Sequence, residues 1–415
     1  MRAGFVSLLA INAAAGVLAA PQATTIASSA PEVTNIDEIK DLAASAYENA
    51  QEFVETQAKR GSTCNWSNVR VRREWNTFSK SEKKAYITAV KCLQSKPAKS
   101  PASFAPGAKT RFDDWVATHV DQTQIIHYTG NFLVWHRYFT WLYEEALRNE
   151  CGYKGTQPYW DWALTAITGL SKSSIFDGSE YSMSGDGEHI PDRPDVILGA
   201  SSGLPPVYLP TGNGGGCVTS GPFKDMKVNL GPAALDLPGG VVEAVANPLE
   251  YNPRCLKRDL GDAVNRRYAN ATSVLRNILQ PKNAYDFQMQ MQGIPGSGDI
   301  GIHGGGHYSL GGDPGNDVFT SPGDPAFYLH HAMIDRVWWI WQMLSPKERQ
   351  YGKAALMGTN TFLDIPASNA TTFEDYVNFG WAGESRQIKD LMSTLSGPFC
   401  YIYFPRPESP HAQTL

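Results

Sequence analysis

Beyond its first twenty residues, the chain lacks long hydrophobic runs and lacks an excess of positive charge. No later segment approaches the roughly 18 consecutive apolar residues that a transmembrane helix needs. The net charge is -5 and the basic residues form no stripe, which argues against nucleic acid as a partner. With 42% hydrophobic and 19% charged residues, the composition predicts a globular protein that does not sit in a membrane.

The N-terminus has the organisation of a secretory signal peptide. Arg2 supplies a positive charge, an apolar stretch covers residues 5–18, and small residues follow at a plausible cleavage site. We therefore expect residues 1–19 to be a signal peptide, residues 20–35 to be mobile, and the mature protein to be secreted and extracellular. A buried N-terminal helix is the alternative interpretation of this segment.

Sequons and cysteines also suit an exported protein. N-x-[ST] sequons for glycosylation occur at three positions, Asn65, Asn270 and Asn369. The chain has six cysteines, namely Cys64, Cys92, Cys151, Cys217, Cys255 and Cys400. An even number permits three disulfides, which form in oxidising compartments. The order of cysteines along a chain does not determine their pairing, so the sequence leaves the pairing open.

Hydrophobic periodicity predicts a mainly α-helical domain over residues 36–405, followed by a tail over 406–415. Helical spacing of apolar residues covers residues 37–59, 79–93, 110–120, 132–150, 259–279, and a last segment that starts near Asp324-Pro325. Residues 178–240 are rich in glycine, proline and serine and predict a long irregular excursion. We expect a four-helix-bundle core that holds metal ions between its helices, with long irregular loops.

Six of the nine histidines fall into two groups of three. The first group is His119, His127 and His136, and the second is His303, His307 and His331. Imidazole suits copper, zinc, iron and nickel, but six imidazoles are too many for one four-coordinate zinc. They match two metal ions with three ligands each and an open side on both. Scattered surface or core histidines are the alternative, which the clustering disfavours.

The second histidine group has unusual surroundings. His303 and His307 are spaced i, i+4, so on a helix they share one face. The three residues between them are glycines, and each costs a helix about 1 kcal/mol relative to alanine. That cost indicates a backbone in close contact with something else, while a glycine-rich loop is the alternative. His330 and His331 are adjacent, so on a helix their side chains diverge by about a hundred degrees and only one can join this metal.

Two copper ions suit this ligand set best. At a separation of about 4 Å, two ions can act together on one small molecule. Each Cu(I) supplies one electron to O2, and a two-electron, ring-shaped reductant can restore both ions. Neutral imidazoles suit both valences of copper. We therefore expect a copper pair as the cofactor and O2 as the co-substrate.

Around these histidines the sequence resembles the superfamily of tyrosinases, catechol oxidases and mollusc hemocyanins, the type 3 copper proteins. The first motif is His127-Tyr-Thr-Gly-Asn-Phe-Leu-Val-Trp-His136-Arg137. The second is Asp324-Pro-Ala-Phe327-Tyr-Leu-His330-His331-Ala-Met-Ile-Asp335-Arg336-Val-Trp338. Pro158-Tyr-Trp-Asp-Trp162 and Cys400-Tyr401-Ile-Tyr403 are similar to two further hallmarks. Together the motifs span most of residues 64–403.

The resemblance implies a role for each histidine. The first copper ion would be bound by His119, His127 and His136, and the second by His303, His307 and His331. His330 would be a neighbour of the second ion and not a ligand. Asp335, one turn after His331, would support that ligand or pair with an arginine. His189 and His411 match no motif and are expected at the surface.

The resemblance also implies a substrate pocket beside the second copper ion. Its expected residues are Gly304, Tyr308, Val318 and Phe327. Val318 lies thirteen residues before His331, where family members often place a bulky gate, so the entrance should be comparatively open. Phe327 would pack against the substrate ring.

The sequence departs from the family pattern in three ways, and these departures narrow the expected type of enzyme. Many members link a cysteine two residues before the second histidine to that ring, but Ile125 stands there. Only twelve residues follow Tyr403, as in short fungal secreted members without a C-terminal lid. Members that hydroxylate monophenols usually have asparagine after the first ligand of the second copper and a glutamate upstream. Here the positions hold Gly304 and glutamines such as Gln292, and Asp299 has the wrong spacing.

The expected activity is therefore oxidation of o-diphenols to o-quinones with reduction of O2 to water, by a catechol oxidase acting on small phenols. The nearest alternatives are a tyrosinase that also hydroxylates monophenols and an o-aminophenol oxidase. A hemocyanin-like O2 carrier and a zinc-binding structural protein are alternatives from other classes. The oligomeric state and the preferred phenol stay open.

Overall fold

The computed structural model describes residues 32–59, 64–199 and 203–405. The proposed signal peptide, His411 and the proposed tail lie outside these residues. The α-helices of the described part are α1 Glu32–Lys59, α2 Lys80–Ser95, α3 Arg111–Ile126, α4 Phe132–Cys151, α5 Trp162–Thr168, α6 Asp262–Tyr268, α7 Ala271–Leu279, α8 Ala284–Gln292, α9 Gly301–Leu310, α10 Gly312–Gly315 and α11 Phe327–Met343.

Short strands pair two by two. They are β1 Arg70–Arg72, β2 Gly187–His189, β3 Val196–Leu198, β4 Val207–Leu209, β5 Gly215–Val218, β6 Lys227–Val228, β7 Leu235–Leu237, β8 Val241–Glu243, β9 Arg254–Cys255, β10 Tyr376–Phe379, β11 Gly383–Gln387 and β12 Tyr401–Tyr403. The pairs β2–β5, β3–β4, β6–β9, β7–β8 and β10–β11 are antiparallel, and β1 pairs with β12 in parallel. The mainly α-helical class predicted from the sequence is confirmed.

Local sequence signals explain where several helices begin and end. Ser79 and Glu82 form a capping box at the start of α2, in which each side chain meets the other's backbone N–H. Thr110 and Asp113 do the same for α3. Gly152 ends α4 in a left-handed conformation with φ of 70°, which glycine adopts without a steric penalty.

The core is built around α11. Every residue of this helix is buried, as expected for a helix surrounded on all sides. It is flanked by α1, α4, α7 and α9. The helix α1 approaches it closely because its inner face carries small residues, Ala43, Ala46 and Ala50. The helices α3, α4, α9 and α11 together carry five of the six predicted ligands, and His127 caps the end of α3.

Some predicted boundaries were wrong. The helix α3 continues to Ile126, six residues beyond the prediction. Residues 259–279 form two helices, because Asn270 is extended and caps α7 through Ser273 N–H. The last helix starts at Phe327 and not at Asp324-Pro325, although the Asp324 carboxylate still accepts the N–H of Ala326. At the N-terminus, α1 begins at Glu32, inside the segment expected to be mobile.

All six cysteines form disulfides, as an even number permitted: Cys64–Cys400, Cys92–Cys151 and Cys217–Cys255. The first of these joins the chain next to β1 to the residue before β12. It thus links the segment that leads into β1 to β12, the strand that pairs with β1. Among the described helices, none is long and apolar enough to span a bilayer.

The three sequons differ in their surroundings. Asn369 is exposed and Asn65 is partly exposed. The side chain of Asn270 caps α7 and its Nδ2 atom donates to the Arg266 carbonyl at 2.7 Å. Glycosylation at these positions stays a prediction. His189 is exposed on β2, as expected.

Candidate metal centre

The first three histidines meet at the junction of α3 and α4. His119 lies within α3, His127 ends that helix, and His136 lies one turn into α4. All three are buried, and the Nε2 atoms of His119 and His136 are 3.5 Å apart. One ring nitrogen from each residue lies within 4.8 Å of the others, so the group could hold a metal ion.

The second group contains four histidines. His303 and His307 lie on α9 and His330 and His331 lie on α11. The Nε2 atom of His307 is 3.2 Å from that of His303 and 3.3 Å from that of His331. One nitrogen from each of the four lies within 4.8 Å of the others. Distance alone therefore includes His330, which the resemblance excludes from the ligands.

The glycines of α9 explain the position of His330. A Cβ atom on Gly306 would lie 2.2 Å from the His330 ring, and one on Gly305 would lie 2.8 Å from Tyr268 Cβ. The His330 ring therefore occupies the space that Gly306 leaves, with Trp162 on another side at 5.2 Å between ring centroids. The prediction of a helix whose backbone must approach something closely is confirmed.

Backbone carbonyls fix the rings of the first group. The Nδ1 atoms of His119, His127 and His136 lie 2.8, 2.9 and 2.8 Å from carbonyl oxygens, those of Phe319, Thr123 and Phe132. A carbonyl only accepts, so each Nδ1 carries the hydrogen and donates it. Each Nε2 then keeps its lone pair and faces the other rings, which is the usual arrangement of metal-binding histidines.

Burial keeps these imidazoles neutral. It lowers the pKa of His127 to about 4 and, together with the nearby His127, lowers the pKa of His307 to about 3. The other four predicted ligands have their pKa lowered well below the ordinary value, by burial first and by neighbouring histidines second. Neutral imidazole is the form that binds metal, so the donor set fits a metal pair.

The two groups face each other. The rings of His136 and His331 stack at 4.8 Å between centroids, and those of His127 and His303 are 5.8 Å apart. Two ions, one in each group, would therefore be close neighbours. The residues present fit a pair of copper ions, because six neutral nitrogen donors converge and no thiolate or carboxylate belongs to either group.

Phe327 lies beside the second histidine group, as the resemblance implies, but it does not reach the substrate pocket. Its ring stacks on His331 at 4.0 Å between centroids and meets His119 edge-on at 5.7 Å. It is buried behind the histidines and does not line the cavity described below. Because α11 starts at Phe327, its side chain points into the bundle and supports the rings of both groups.

Asp335 does not contact His331, so the prediction that it supports this ligand was wrong. Its carboxylate instead accepts hydrogen bonds from Arg137 at 2.6 Å and from the hydroxyls of Tyr401 and Tyr403, each at 2.6 Å. Burial alone would raise the pKa of Asp335, but Arg137 and Arg72 hold it below its ordinary value. The alternative interpretation, pairing with arginine, is confirmed.

A cavity of about 240 Å³ opens beside the second group. Its inner wall includes His127, His303 and His307, and three predicted pocket residues line it, Gly304, Tyr308 and Val318. Val318 is 41% exposed at the mouth. The outer wall is formed by Leu198 and Gly199 at the end of β3, by Leu204, Pro205 and Val207 around the start of β4, and by residues 294–296 and 298–300. This wall was not predicted.

Gln292 also lines the cavity and holds the residue after His127. Its Oε1 atom accepts the N–H of Tyr128 at 2.8 Å, and its carbonyl accepts the Tyr128 hydroxyl at 2.9 Å. Asp299 is the one carboxylate among the described lining residues. It is paired with Arg276 at 2.6 Å and accepts the N–H of Gly301.

The family model for the common central domain of tyrosinase matches residues 109–344. The chain belongs to the tyrosinase family. Tyrosinase P from Aspergillus terreus is 41% identical over 340 residues, which cover 80% of this chain and 91% of that protein. An N-acetyl-6-hydroxytryptophan oxidase from Emericella nidulans is 38% identical over 350 residues, covering 82% and 93%. A solved structure of a polyphenol oxidase from Thermothelomyces thermophila, a glycine-to-asparagine variant, is 43% identical in sequence and matches with a TM-score of 0.82. The match covers 89% of this chain and 98% of that chain.

Membership establishes the class of chemistry. This tyrosinase-family protein is an oxidoreductase whose cofactor is a type 3 pair of copper ions and whose co-substrate is O2. The sequence motifs located both histidine groups. They did not reveal the ion-pair network under Asp335 or the outer cavity wall, although the Tyr401-Ile-Tyr403 motif pointed to one end of that network.

Proposed function

We propose that the protein is a catechol oxidase, which converts o-diphenols to o-quinones and reduces O2 to water. His119, His127 and His136 hold one copper ion, and His303, His307 and His331 hold the other. The convergence of their unprotonated nitrogens is the observation that carries this assignment. His330 stays outside the ligand set, because a triplet on each ion leaves one side open for reaction.

An enzyme is favoured over an O2 carrier because the cavity is accessible. Val318 is 41% exposed at its mouth, beside Gly304 and His303 on the inner wall. A phenol can therefore reach the second histidine group from solvent. Carriers need the site covered, since oxidation of passing phenols would consume the bound oxygen.

Diphenol oxidation is favoured over monophenol hydroxylation by the shortage of a base in the cavity. A monophenol has a pKa near 10, as tyrosine does, so a positioned base is worth on the order of 10²–10⁴ in rate. Asp299 is already paired with Arg276, and the Gln292 oxygen already accepts Tyr128 N–H. Gly304 contributes no side chain. The alternative is a tyrosinase, since one relative at 41% identity is named Tyrosinase P. A comparison of monophenol and diphenol turnover decides between the two.

The side chains of this protein would contribute binding and orientation. The ring of a catechol would enter between Val318 and Gly304 and point its two oxygens toward the histidine groups. Copper, when bound, supplies the one-electron steps that take electrons from the ring to O2. The carbonyl partners of the Nδ1 atoms hold the rings of His119, His127 and His136 in fixed orientations, and Phe327 packs against His331, so little reorganisation is needed during a turnover.

We also propose that the protein is exported to the extracellular space. Three disulfides among the described residues suit an oxidising compartment. Of the three sequons, Asn369 has the exposed side chain that a glycan needs, while Asn65 and Asn270 are partly exposed.

Metal analysis combined with O2 uptake tests the proposed function. Protein loaded with copper should contain two ions per chain and should consume O2 with catechol, far above a blank without protein. Protein loaded with zinc should not consume O2. Tight binding of O2 with no uptake in the presence of catechol would instead support a carrier.

A further inference from the structure

The outer half of the cavity is aliphatic. Its side chains come from three separate segments, with Leu204 and Val207 on one side, Ile294 and Ile300 on another, and Val318 at the mouth. Leu204 is 45% exposed and Ile294 is 55% exposed. An exposed apolar surface that continues into a site marks a place where an apolar ligand binds.

No lysine or arginine lines this cavity among the described residues. Asp299 is the one charged lining side chain besides the histidines, and Arg276 already neutralises it at 2.6 Å. Apart from the copper pair at the inner end, the described side chains of the cavity therefore offer no counter-charge to a carboxylate on the ring substituent.

The two tyrosines of the wall also disfavour an anion. The Tyr128 hydroxyl donates its hydrogen to the Gln292 carbonyl, and the Tyr308 hydroxyl donates to the Asp236 carboxylate. A hydroxyl has one hydrogen to donate, so both oxygens present only lone pairs to a ligand. Lone pairs repel a carboxylate oxygen and tolerate an apolar or hydrogen-bond-donating group.

We infer that the preferred substrates are o-diphenols whose ring substituent is uncharged and apolar, and that the cavity discriminates against substituents carrying a carboxylate. This inference rests on the proposed function and names its substrate class. The ring hydroxyls face the histidines, while the substituent lies between Leu204 and Ile294. Burying an unpaired carboxylate is costly, whereas each buried methylene is favourable.

Steady-state kinetics on the copper-loaded protein provide the test. Hydrocaffeate, a catechol with a propionate arm, is compared with its primary amide, which has nearly the same shape and no charge. We expect kcat/KM to be at least about tenfold higher for the amide. Lengthening an alkyl substituent from methyl to propyl should raise kcat/KM by about two- to fourfold per methylene.

A charge variant makes the test specific to the cavity. Ile294→Lys places a cation at the mouth and should raise the hydrocaffeate-to-amide ratio of kcat/KM several-fold. This gain should fade in high salt, because the Debye length falls to about 3 Å at 1 M. The matched control is Ile167→Lys, the same change at an exposed isoleucine of α5 that does not line the cavity. It should leave the ratio unchanged.

Equilibrium binding separates this inference from the proposed function. Resorcinols that carry the propionate substituent or its primary amide cannot form o-quinones. Calorimetry on the copper-loaded protein therefore measures their Kd without turnover. Tighter binding of the amide supports the inference even if catechol is not oxidised, a result that would overturn the proposed function alone. Oxidation of catechol together with equal Kd and equal kcat/KM for carboxylate and amide would overturn the inference alone.

Discussion

The Oε1 atom of Gln292 accepts the backbone N–H of Tyr128 at 2.8 Å, and Tyr128 directly follows His127. Tyr128 has a φ of 52°, a left-handed conformation that is uncommon for a residue with a bulky side chain. The Tyr128 hydroxyl also donates to the Gln292 carbonyl, so two hydrogen bonds join the same two residues. Gln292 therefore holds the cavity wall next to a proposed copper ligand, and its amide oxygen is not free to act on a substrate.

The hydrogen bonds between Gln292 and Tyr128 indicate which substitutions would introduce monophenol hydroxylation. Gly304→Asn should raise monophenol turnover relative to diphenol turnover, and the double variant with Gln292→Glu should raise it further, by about tenfold or more. A glutamate can accept the Tyr128 N–H with one oxygen and serve as a base with the other. The ratio of the two kcat/KM values measures the effect.

The control for that experiment is Gly304→Ala. A Cβ atom at this position lies 3.1 Å from Ile300 Cβ, so both substitutions require the same small shift. Alanine adds no amide and should leave the ratio unchanged. An equal rise for alanine would mean that the shape of the cavity, and not a positioned water, controls hydroxylation.

Copper stoichiometry tests the ligand assignment. His331→Ala should lower the copper content from two ions per chain to one and should abolish nearly all activity, because two one-electron centres must act together. His330→Ala should retain both ions, since its ring packs against Gly306 and Trp162 and lies outside the proposed ligands. Loss of one ion from the His330 variant would show four-histidine ligation and contradict the assignment.

The buried network around Asp335 should dominate the stability of the domain. Removing the charge in Asp335→Asn leaves the buried Arg137 without its carboxylate partner, while Arg72 keeps Glu144 at 2.6 Å, and it should cost about 3–5 kcal/mol. Chemical denaturation measures this loss. The comparison variant is Glu384→Gln, which breaks an ion pair whose acid is 83% exposed, and its effect should stay below about 1 kcal/mol. Similar losses in both variants would contradict the importance of the network.

Much of this architecture could be predicted because its signals are local. Ser79 and Glu82 mark the start of α2 within four residues, and Gly152 marks the end of α4. His127, His136 and His331 stand in continuous motifs, while His119, His303 and His307 were added by their spacing and by the family resemblance. Their role in metal binding follows from residue type and spacing alone.

The rest depends on contacts between distant parts of the chain. Arg72 and Asp335 are 263 residues apart, so nothing near Asp335 in the sequence identifies this partner. The strands β3 and β4 have three residues each, too few for an alternating pattern to be recognised. They lie in the glycine- and proline-rich excursion, yet they form a wall of the cavity. Asn270 follows the C-cap of α6 and caps the start of α7, which helical periodicity does not reveal.

Asp236 predicts a pH dependence of stability. Burial raises the pKa of Asp236 to about 6, above its ordinary value of about 4. At pH 7.5 the folded protein therefore holds an unfavourable buried charge, and it binds a proton as the pH falls through 6. Asp236→Asn lacks this titration. Between pH 7.5 and pH 5, wild type should gain about 1 kcal/mol of unfolding free energy relative to the variant.

Paired denaturation curves at the two pH values measure that difference. The Tyr308 hydroxyl can still donate to an asparagine oxygen, so the wall of the cavity is kept. The matched control is Asp225→Asn, the same substitution at an exposed position. A shift of opposite sign in the Asp236 variant would mean that the carboxylate is stabilised in its charged form.

The most direct test of the central claim is a steady-state comparison of a monophenol with its matching o-diphenol on the copper-loaded protein. Catechol and phenol, or their methyl-substituted forms, should be measured as O2 uptake under the same conditions. We expect kcat/KM for the diphenol to exceed that for the monophenol by a factor on the order of 10² or more, because none of the described residues that line the cavity is a free base. Equal values for the two substrates would contradict the catechol oxidase assignment and identify the protein as a tyrosinase.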